Sequence, residues 1–588
     1  MSVAEHAPRS KALDRRTLAR LWTYVLPYRG LAAIATLVVF AIGAVQVVQP
    51  YLIKLAIDGP IANGTLAGLT PIAALFCAAL AAEFLLRFAQ LLVLESVGQS
   101  VVRDVRVAVF AHLQRLSASF FDRNAVGRLM TRVTSDVEAL AEALTSGLVL
   151  ILADGVKLLA IVAVLLWMDW RLALVTFAIV PPMVTLTAWF QKRIREAYQD
   201  TRSWVARMNA FLQENVVGMR LVQLFGRERD HFEEFTALND GHHRAQMRSV
   251  WYDSAFSAVA ELVGSIALAA ILWAGGARIL AGSITFGTLV AFIQYANRFF
   301  GPLQELSERW AVMQAAGASS ERIFDLLDTR PEIVSPAEPR RPQSAARGAI
   351  VFDRVTFGYD PAHPVLRDVS FRIAPGQRVG VVGWTGSGKS TLIRLLIRLY
   401  EVQEGRILLD GVDVRDWDLA ELRRAVGVVH QDPFLFAGTV ESNLTLGDPR
   451  VSLERVREAV RAVDADRIVE RLPGGWREEV RERGSNFSVG EKQLLAFARA
   501  LAFEPTVLVL DEATSSVDAA TESRIRETLR TALAGRTSIL IAHRLATVRD
   551  ADRILVLHHG ELREDGSHDA LVRLDGGIYR TLVELQAG

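Results

Sequence analysis

The sequence predicts an all-α domain of six membrane-crossing helices followed by an α/β domain built around a phosphate-binding loop. Three observations carry that expectation. The chain is 51% hydrophobic over 588 residues, and the excess lies before residue 311. Six stretches in that first half are long and apolar enough to span a bilayer, which takes about 20 residues each. Beyond them, Gly383-Trp384-Thr385-Gly386-Ser387-Gly388-Lys389-Ser390 stands between a strand-like run, Arg378-Val379-Gly380-Val381-Val382, and a helix-like one opening Thr391-Leu392-Ile393. A chain of this length divides into more than one core.

In chain order, residues 1–30 are polar and basic and read as a cytoplasmic N-terminus. The apolar run after Gly30 is too long for the h-region of a cleaved signal and is expected to stay as an anchor. The membrane domain is placed at 31–328, with spans near 31–57, 71–97, 141–167, 172–190, 254–277 and 286–310. Pro181-Pro182 falls inside the fourth, where a kink is tolerated if neighbouring helices satisfy the freed carbonyls.

Connector charge sets the orientation. Residues 103–132 carry Arg103, Arg106, Arg115, Arg123, Arg128 and Arg132, and 192–248 is equally basic, whereas 58–69 has no Lys or Arg. The positive-inside tendency places both long connectors, both termini and the C-terminal domain in the cytoplasm of a multi-pass cell-membrane protein. Apolar residues recur at helical spacing over 100–116 and 204–222, so the membrane helices are expected to continue below the bilayer. The single cysteine, Cys77, sits in an apolar run and can form no intrachain disulfide.

Ionisable groups at membrane depth are costly and mark wet cavities or pairs. Glu83 and Arg87 are four apart, Asp154 and Lys157 three apart, and Glu261 has no local partner. These five are candidates for a substrate path, and the first two sets read equally well as pairs along one helix face. Pro331, Pro336, Pro339 and Pro342 mark 329–348 as a linker, and 349–588 as the soluble domain. A formal net charge of +1 offers no general attraction to nucleic acid.

The glycine-rich run fits G-x-x-x-x-G-K-[ST] in the strand-then-helix context that the motif needs. Its glycines let backbone N–H groups turn toward a polyphosphate such as ATP, and the following helix adds its positive dipole end. Lys389 is expected on the β/γ-phosphates, Ser390 on Mg²⁺, and Thr391 next to them. The 66 Lys and Arg residues include only six lysines, so a chain that favours arginine keeps Lys where a compact point charge is wanted. A second signal, Val507-Leu508-Val509-Leu510-Asp511-Glu512, is a buried-strand pattern ending in paired carboxylates. Asp511 can orient the Mg²⁺ shell, and Glu512 a water that attacks the γ-phosphate.

With these residues in place the chain resembles the ATP-binding-cassette transporters, and among them the exporter half-transporters, from about residue 15 onward. The resemblance implies an elbow helix near the N-terminus, the exporter fold as a domain-swapped dimer, and an ATPase that drives transport. It implies that Tyr359, in Thr356-Phe357-Gly358-Tyr359, stacks on adenine, that Gln431 joins the Mg²⁺ shell, that His543 contacts the γ-phosphate, and that Asp518 lies at the dimer interface. Residues 120–129 and 218–228 resemble the two coupling-helix regions, the second of which engages the partner chain's cassette.

Where the family has Leu-Ser-Gly-Gly-Gln, this chain has Phe487-Ser488-Val489-Gly490-Glu491. Ser488 and Gly490 are the groups that reach the γ-phosphate of ATP on the other chain. Val489 cannot easily take up glycine's backbone angles, and Glu491 should be repelled by polyphosphate. Arg481 also stands where a glycine is usual. The expected assembly is therefore a heterodimer, whose second half-transporter has an unaltered signature and whose cargo is an amphipathic drug, lipid or peptide. The alternatives are a homodimer, an ATP-gated channel or regulatory subunit, and an importer on the exporter fold.

Overall fold

The computed structural model describes residues 15–143, 149–342, 347–511, 535–541 and 548–587, with Leu533 and Leu545 besides. It forms two compact units, Met1–Leu113 with Gly127–Thr329, and Gln114–Val126 with Arg330–Gly588.

The first unit is helical: α1 (Arg15–Val25), α2 (Arg29–Ala56), α3 (Leu66–Leu113), α4 (Val149–Phe177), α5 (Val180–Val217), α6 (Glu228–Leu280) and α7 (Phe286–Asp328). Among the described residues, four stretches are long and apolar enough to cross a membrane by length and composition: Ala19–Ile61, Leu66–Leu113, Val149–Phe177 and Glu228–Leu280. The apolar runs of α5 and α7 are interrupted by charge, at Lys192-Arg193 and at Arg298. Tyr295, Phe292 and Ile271, all fully buried, centre a core shared by α4, α6 and α7.

Two boundaries bear on the sequence reading. Within the span expected at 141–167, Ala141 and Glu142 belong to the short helix Ser135–Glu142, and α4 is described from Val149. The break expected at 168–171 is found there, where two helices meet within the stretch labelled α4. Asp169 there leaves helical geometry (φ −162°, ψ 105°) and accepts the Leu172 N–H at 2.8 Å, while Arg278 pairs with it at 2.6 Å. The helical run is interrupted again at Ala178-Ile179, just before Pro181-Pro182, but Ile179 stays helical (φ −85°, ψ −19°) and the Ala178 and Met183 N–H groups donate to the Leu174 and Ile179 carbonyls, so the chain bends near the proline pair without reversing. Proline costs nothing in a first turn, where its missing N–H has no helical acceptor.

The second unit carries β1 (Ile350–Phe357), β2 (Leu366–Ile373), β3 (Arg378–Gly383), α8 (Lys389–Leu396), β4 (Glu404–Leu409), β5 (Val412–Asp413), β6 (Val426–Val429), α9 (Val489–Ala502), β7 (Val507–Asp511), β8 (Thr537–Ile541), β9 (Arg553–His558) and β10 (Glu561–Gly566). An antiparallel sheet runs β2-β1-β4-β5, and a six-stranded sheet runs β10-β9-β3-β8-β7-β6. In the latter, β3 lies between β8 and β9, parallel to both, and its residues Val379, Val381 and Val382 are buried. A strand covered on both faces reads as an unbroken apolar run, which is what Arg378–Gly383 and Val507–Asp511 show. Their C-terminal ends share one edge of the sheet, the place where open α/β sheets bind ligands.

The segment Gln114–Val126, between α3 and the rest of the helical unit, belongs to this second unit. Its short helix Ala118–Arg123 is tied down by the Ser119 hydroxyl, which donates to the Glu332 carboxylate at 2.5 Å, and by Asp122, which accepts a hydrogen bond from the Tyr400 hydroxyl.

Candidate functional site

The loop from Gly383 to Gly388 joins β3 to α8, and two of its glycines are demanded by geometry. Gly383 has φ +152°, and a Cβ there would lie 2.1 Å from the Leu557 carbonyl oxygen. At Gly388, with φ +98°, it would lie 2.6 Å from Leu366 Cδ2. The backbone can thus hug β9 and point its N–H groups into the turn. Trp384, Thr385 and Gly386 form the exposed rim, while Ser387, Lys389 and Thr391 are buried.

Lys389 Nζ curls back onto the loop, donating to the carbonyl oxygens of Gly383 (2.9 Å) and Trp384 (3.0 Å). Ser387 is 4% exposed, and its Oγ has no hydrogen-bond partner among the described residues. A buried orphan hydroxyl is costly unless a ligand completes it. With a buried ammonium beside it, the orphan marks a cradle shaped for an anion.

Ser390 Oγ donates to Asp511 Oδ1 at 3.3 Å, so the first residue past the lysine meets the end of β7. Burial pushes the Asp511 carboxyl above its ordinary range, against the opposing pull of the Ser390 hydrogen bond. Desolvation also lowers the pKa of the neighbouring His430. A hydroxyl and a carboxylate at the foot of a phosphate cradle are the hard oxygen donors that Mg²⁺ takes, and its charge would favour the ionised carboxylate. Gln431 is exposed in the loop just past β6.

Tyr359 lies beside the same cradle. Its Oη lies 3.2 Å from Thr391 Oγ1 and accepts from Arg394 Nη1 at 2.9 Å. The ring stands edge-on to Phe357 (centroids 5.2 Å apart) and Tyr400 (5.0 Å). Gln403 fixes the turn through both backbone groups of Gly358. Held on two edges and 39% exposed, the ring offers a face to a planar base. Arg394, Tyr400 and Gln403 were missed in the sequence, where no motif joins positions so far from Tyr359.

Ser488 caps α9, and Val489 is its first residue. Helical geometry at Val489 needs no positive φ, so the expected backbone conflict with a β-branched residue does not arise at this position. Glu491 folds back into a capping box. Its Oε2 accepts from the Ser488 N–H and the Ser488 hydroxyl, each at 2.9 Å, while its own N–H donates to Ser488 Oγ at 3.3 Å. Arg471 donates to Glu491 Oε1 at 3.2 Å, and Gly490 is buried. Glu512, Asp518 and His543 lie outside the described residues.

In the helical unit, Arg87, Asp154 and Lys157 line one cavity, and Glu83 is bonded to Arg87 at its edge. Glu261 is exposed on α6 and does not line it.

A phosphate cradle, a serine–aspartate pair beneath it and an aromatic platform define a nucleotide-hydrolysing unit, and the same chain carries long apolar helices: together they make an ATP-driven membrane transporter. Residues 32–303 match the ABC transporter transmembrane region and residues 366–515 match the ABC transporter family, and the chain belongs to that family. It is 36% identical to an uncharacterized ABC transporter ATP-binding protein, YknV, of Bacillus subtilis (strain 168), covering 96% of this chain and 94% of that one. It is 32% identical to an ATP-dependent lipid A-core flippase of Desulfotalea psychrophila, over 97% of this chain and 100% of the other. Among solved structures, a bacterial Atm1-family ABC exporter with ATP bound superposes with a TM-score of 0.77 at 30% identity, covering 95% of this chain and 98% of that chain. The protein is a multi-pass ABC exporter subunit that hydrolyses ATP to drive transport and acts as a dimer with a second half-transporter.

Proposed function

We propose that this chain is one half of a heterodimeric exporter of the cell membrane, with its termini and cassette in the cytoplasm, and that it moves an amphipathic drug, lipid or peptide outward. The single observation that carries the unlike partner is the closed capping box at Ser488. The hydroxyl that would reach a partner's γ-phosphate is already donated to Glu491, whose carboxylate would face that phosphate at short range.

The chain's own nucleotide site has the complement of a working one. Residues 383–391 would wrap the phosphates, with Lys389 exchanging its two carbonyl acceptors for phosphate oxygens and Ser387 finding its missing partner. Ser390, Asp511 and Gln431 would hold Mg²⁺, which supplies charge neutralisation on the phosphates. Glu512 would orient the attacking water and accept its proton, His543 would contact the γ-phosphate, and Asp518 would lie at the cassette interface. A partner's unaltered signature would close this site. This chain's Ser488, Val489, Gly490 and Glu491 would close a poorly hydrolytic site on the partner's ATP.

Purified full-length chain in nanodiscs should hydrolyse ATP feebly, and assembly with a second half-transporter should restore turnover. In the assembled pair Glu512→Gln should abolish most turnover, and Glu491→Gln should not reduce it. Brisk hydrolysis coupled to transport by this chain alone overturns the heterodimer. A homodimer is the second reading, favoured by the ease with which Val489 starts its helix. ATP-driven accumulation in inside-out vesicles separates an exporter from a gated channel, and the direction of flux separates it from an importer.

A further inference from the structure

Tyr359 lies in a turn two residues past β1, and its ring is held from three sides. Phe357 and Tyr400 meet it edge-on, with centroids 5.2 and 5.0 Å away. The third hold is on the hydroxyl, and both groups that make it come from α8. Arg394 Nη1 donates to Tyr359 Oη at 2.9 Å, and Thr391 Oγ1 lies 3.2 Å from the same oxygen. Thr391 and Arg394 stand three apart and so share one face of the helix. A guanidinium carries no acceptor, so the phenol oxygen accepts from Arg394 and its own proton is left for Thr391. The Arg394 Cζ is also 5.7 Å from the ring centroid, within reach of a cation–π attraction.

The first residues of α8, Lys389 and Ser390, serve the phosphate end of the site. Arg394 therefore fastens the aromatic platform to the helix that carries the phosphate donors, although the two are far apart in the chain. Its own side chain is exposed, and an exposed hydrogen bond to an uncharged phenol adds little to folding. The bond matters where a base lies on the ring, because stacking depends on the offset and tilt of the two planes. A plain electrostatic role is the rival, since burial raises the Asp511 carboxyl and Arg394 is among the charges that oppose it. The hydrogen bond to Tyr359 favours orientation over attraction, for it aims the guanidinium at the ring.

We propose that Arg394 is a positioning residue for the nucleotide: by tethering the Tyr359 hydroxyl to α8 it sets the plane on which the base stacks, and so sets how strongly the site prefers a nucleoside triphosphate to a bare triphosphate. This deepens the nucleotide site described above and rests on Tyr359 being its base platform.

The test is calorimetric binding of two probes, ATP and inorganic tripolyphosphate, each with Mg²⁺, to the full-length chain in nanodiscs, with hydrolysis kinetics read in the assembled complex. Stacking of a base on an aromatic ring is worth about fivefold to a hundredfold in affinity, and a ring free to swing should forfeit about fivefold of it. Arg394→Met, which keeps the length without a donor, should weaken ATP by that factor and leave tripolyphosphate unchanged. KM for ATP should rise with it while kcat holds, the mark of lost uniform binding. Tyr359→Phe removes only the hydroxyl and should cost the same, and the double variant should cost no more than either single one. Arg394→Lys, which restores a donor, should recover most of the loss.

If tripolyphosphate weakens in step with ATP, Arg394 is a phosphate cation; if the losses add in the double variant, the two side chains act apart. Either result overturns the proposal, as does unaltered ATP affinity in Arg394→Met. Tyr359→Ala checks the reading beneath it. Should the ratio of the two affinities survive Tyr359→Ala, the platform itself is wrong and the proposal falls with it. Should the ratio collapse there but hold in Arg394→Met, the platform stands and only the proposal falls.

Discussion

Replacing Glu491 with glutamine separates what this residue does for its helix from what it does to a nucleotide. The carboxylate accepts two hydrogen bonds from Ser488 and one from Arg471, and it sits in the first turn of α9, where negative charge is favourable. Glutamine keeps one acceptor oxygen, so the box stays half-formed. The helix should lose about 0.5–1 kcal/mol, the usual worth of charge at a helix start. The Arg471 pair adds little to that, since the two side chains are 70% and 29% exposed and such pairs are worth about 0–1 kcal/mol.

For the nucleotide the sign reverses. A unit charge about 4 Å from a phosphate oxygen is worth about 4 kcal/mol at an effective dielectric of about 20, and Arg471 cancels most of it. A residue of about 1 kcal/mol leaves ATP on the partner roughly fivefold tighter in the variant. In an assembled complex carrying Lys389→Ala, which silences this chain's own cradle, ATP binding reports the partner's site alone. The expected result is a slightly lower thermal midpoint with tighter ATP and undiminished turnover in the complex without Lys389→Ala. If ATP affinity is unchanged or falls along with stability, Glu491 does not face nucleotide and the closed-box argument for the heterodimer fails.

Gly383→Ala should abolish nucleotide binding, because the new Cβ would lie 2.1 Å from the Leu557 carbonyl; filter binding of ATP checks it, and retained affinity refutes the tight-turn account. Tyr400→Phe removes the donor to Asp122, a bond worth about 1.5–3 kcal/mol to a charged acceptor. ATP binding should survive, while stimulation of hydrolysis by transport substrate falls. Asp448 accepts from Arg450 at 2.8 and 2.7 Å, and that pairing holds its carboxyl far below the usual carboxylate range. The stability it supplies is present above the unfolded value of about 3.9 and is lost as pH falls toward the depressed folded value. Acid unfolding of Asp448→Asn should accordingly show a shallower decline below about pH 4 than the parent chain.

The cradle was legible because its determinants are local: a buried strand, glycines at fixed offsets, a lysine and a serine, all within a dozen residues. Asp511 was legible for the same reason, as the polar end of an apolar strand. Where the sequence reading missed, the cause was distant in the chain. Nothing around residue 169 says that Arg278 will hold a kink there, and nothing in Ser117 to Asp122 says that Glu332 and Tyr400 will tie that loop into the second unit. The charges Glu83 and Arg87 were found as sequence neighbours, yet Gln46, Gln49 and Arg298, which join Glu83 in one network, could only be found by folding α2, α3 and α7 together.

The altered signature shows why substitution alone is an ambiguous clue. As letters, valine and glutamate look like damage to a glycine-rich loop. In place, valine starts a helix without strain and glutamate completes its cap, so the two changes stabilise the element that, in the proposed heterodimer, they would disarm. Arg471 decides how far the disarming goes. If it only neutralises Glu491, then Arg471→Ala should weaken ATP at the partner's site severalfold, and Glu491→Gln should erase that loss in the double variant. The coupling between the two would be about 1 kcal/mol, the upper range for an exposed pair. If instead Arg471 itself meets the phosphate, its removal should weaken ATP equally in either background. A cycle of the four variants, with ATP binding read in the Lys389→Ala complex, tells a self-contained cap from a cationic signature that has replaced the glutamine's role.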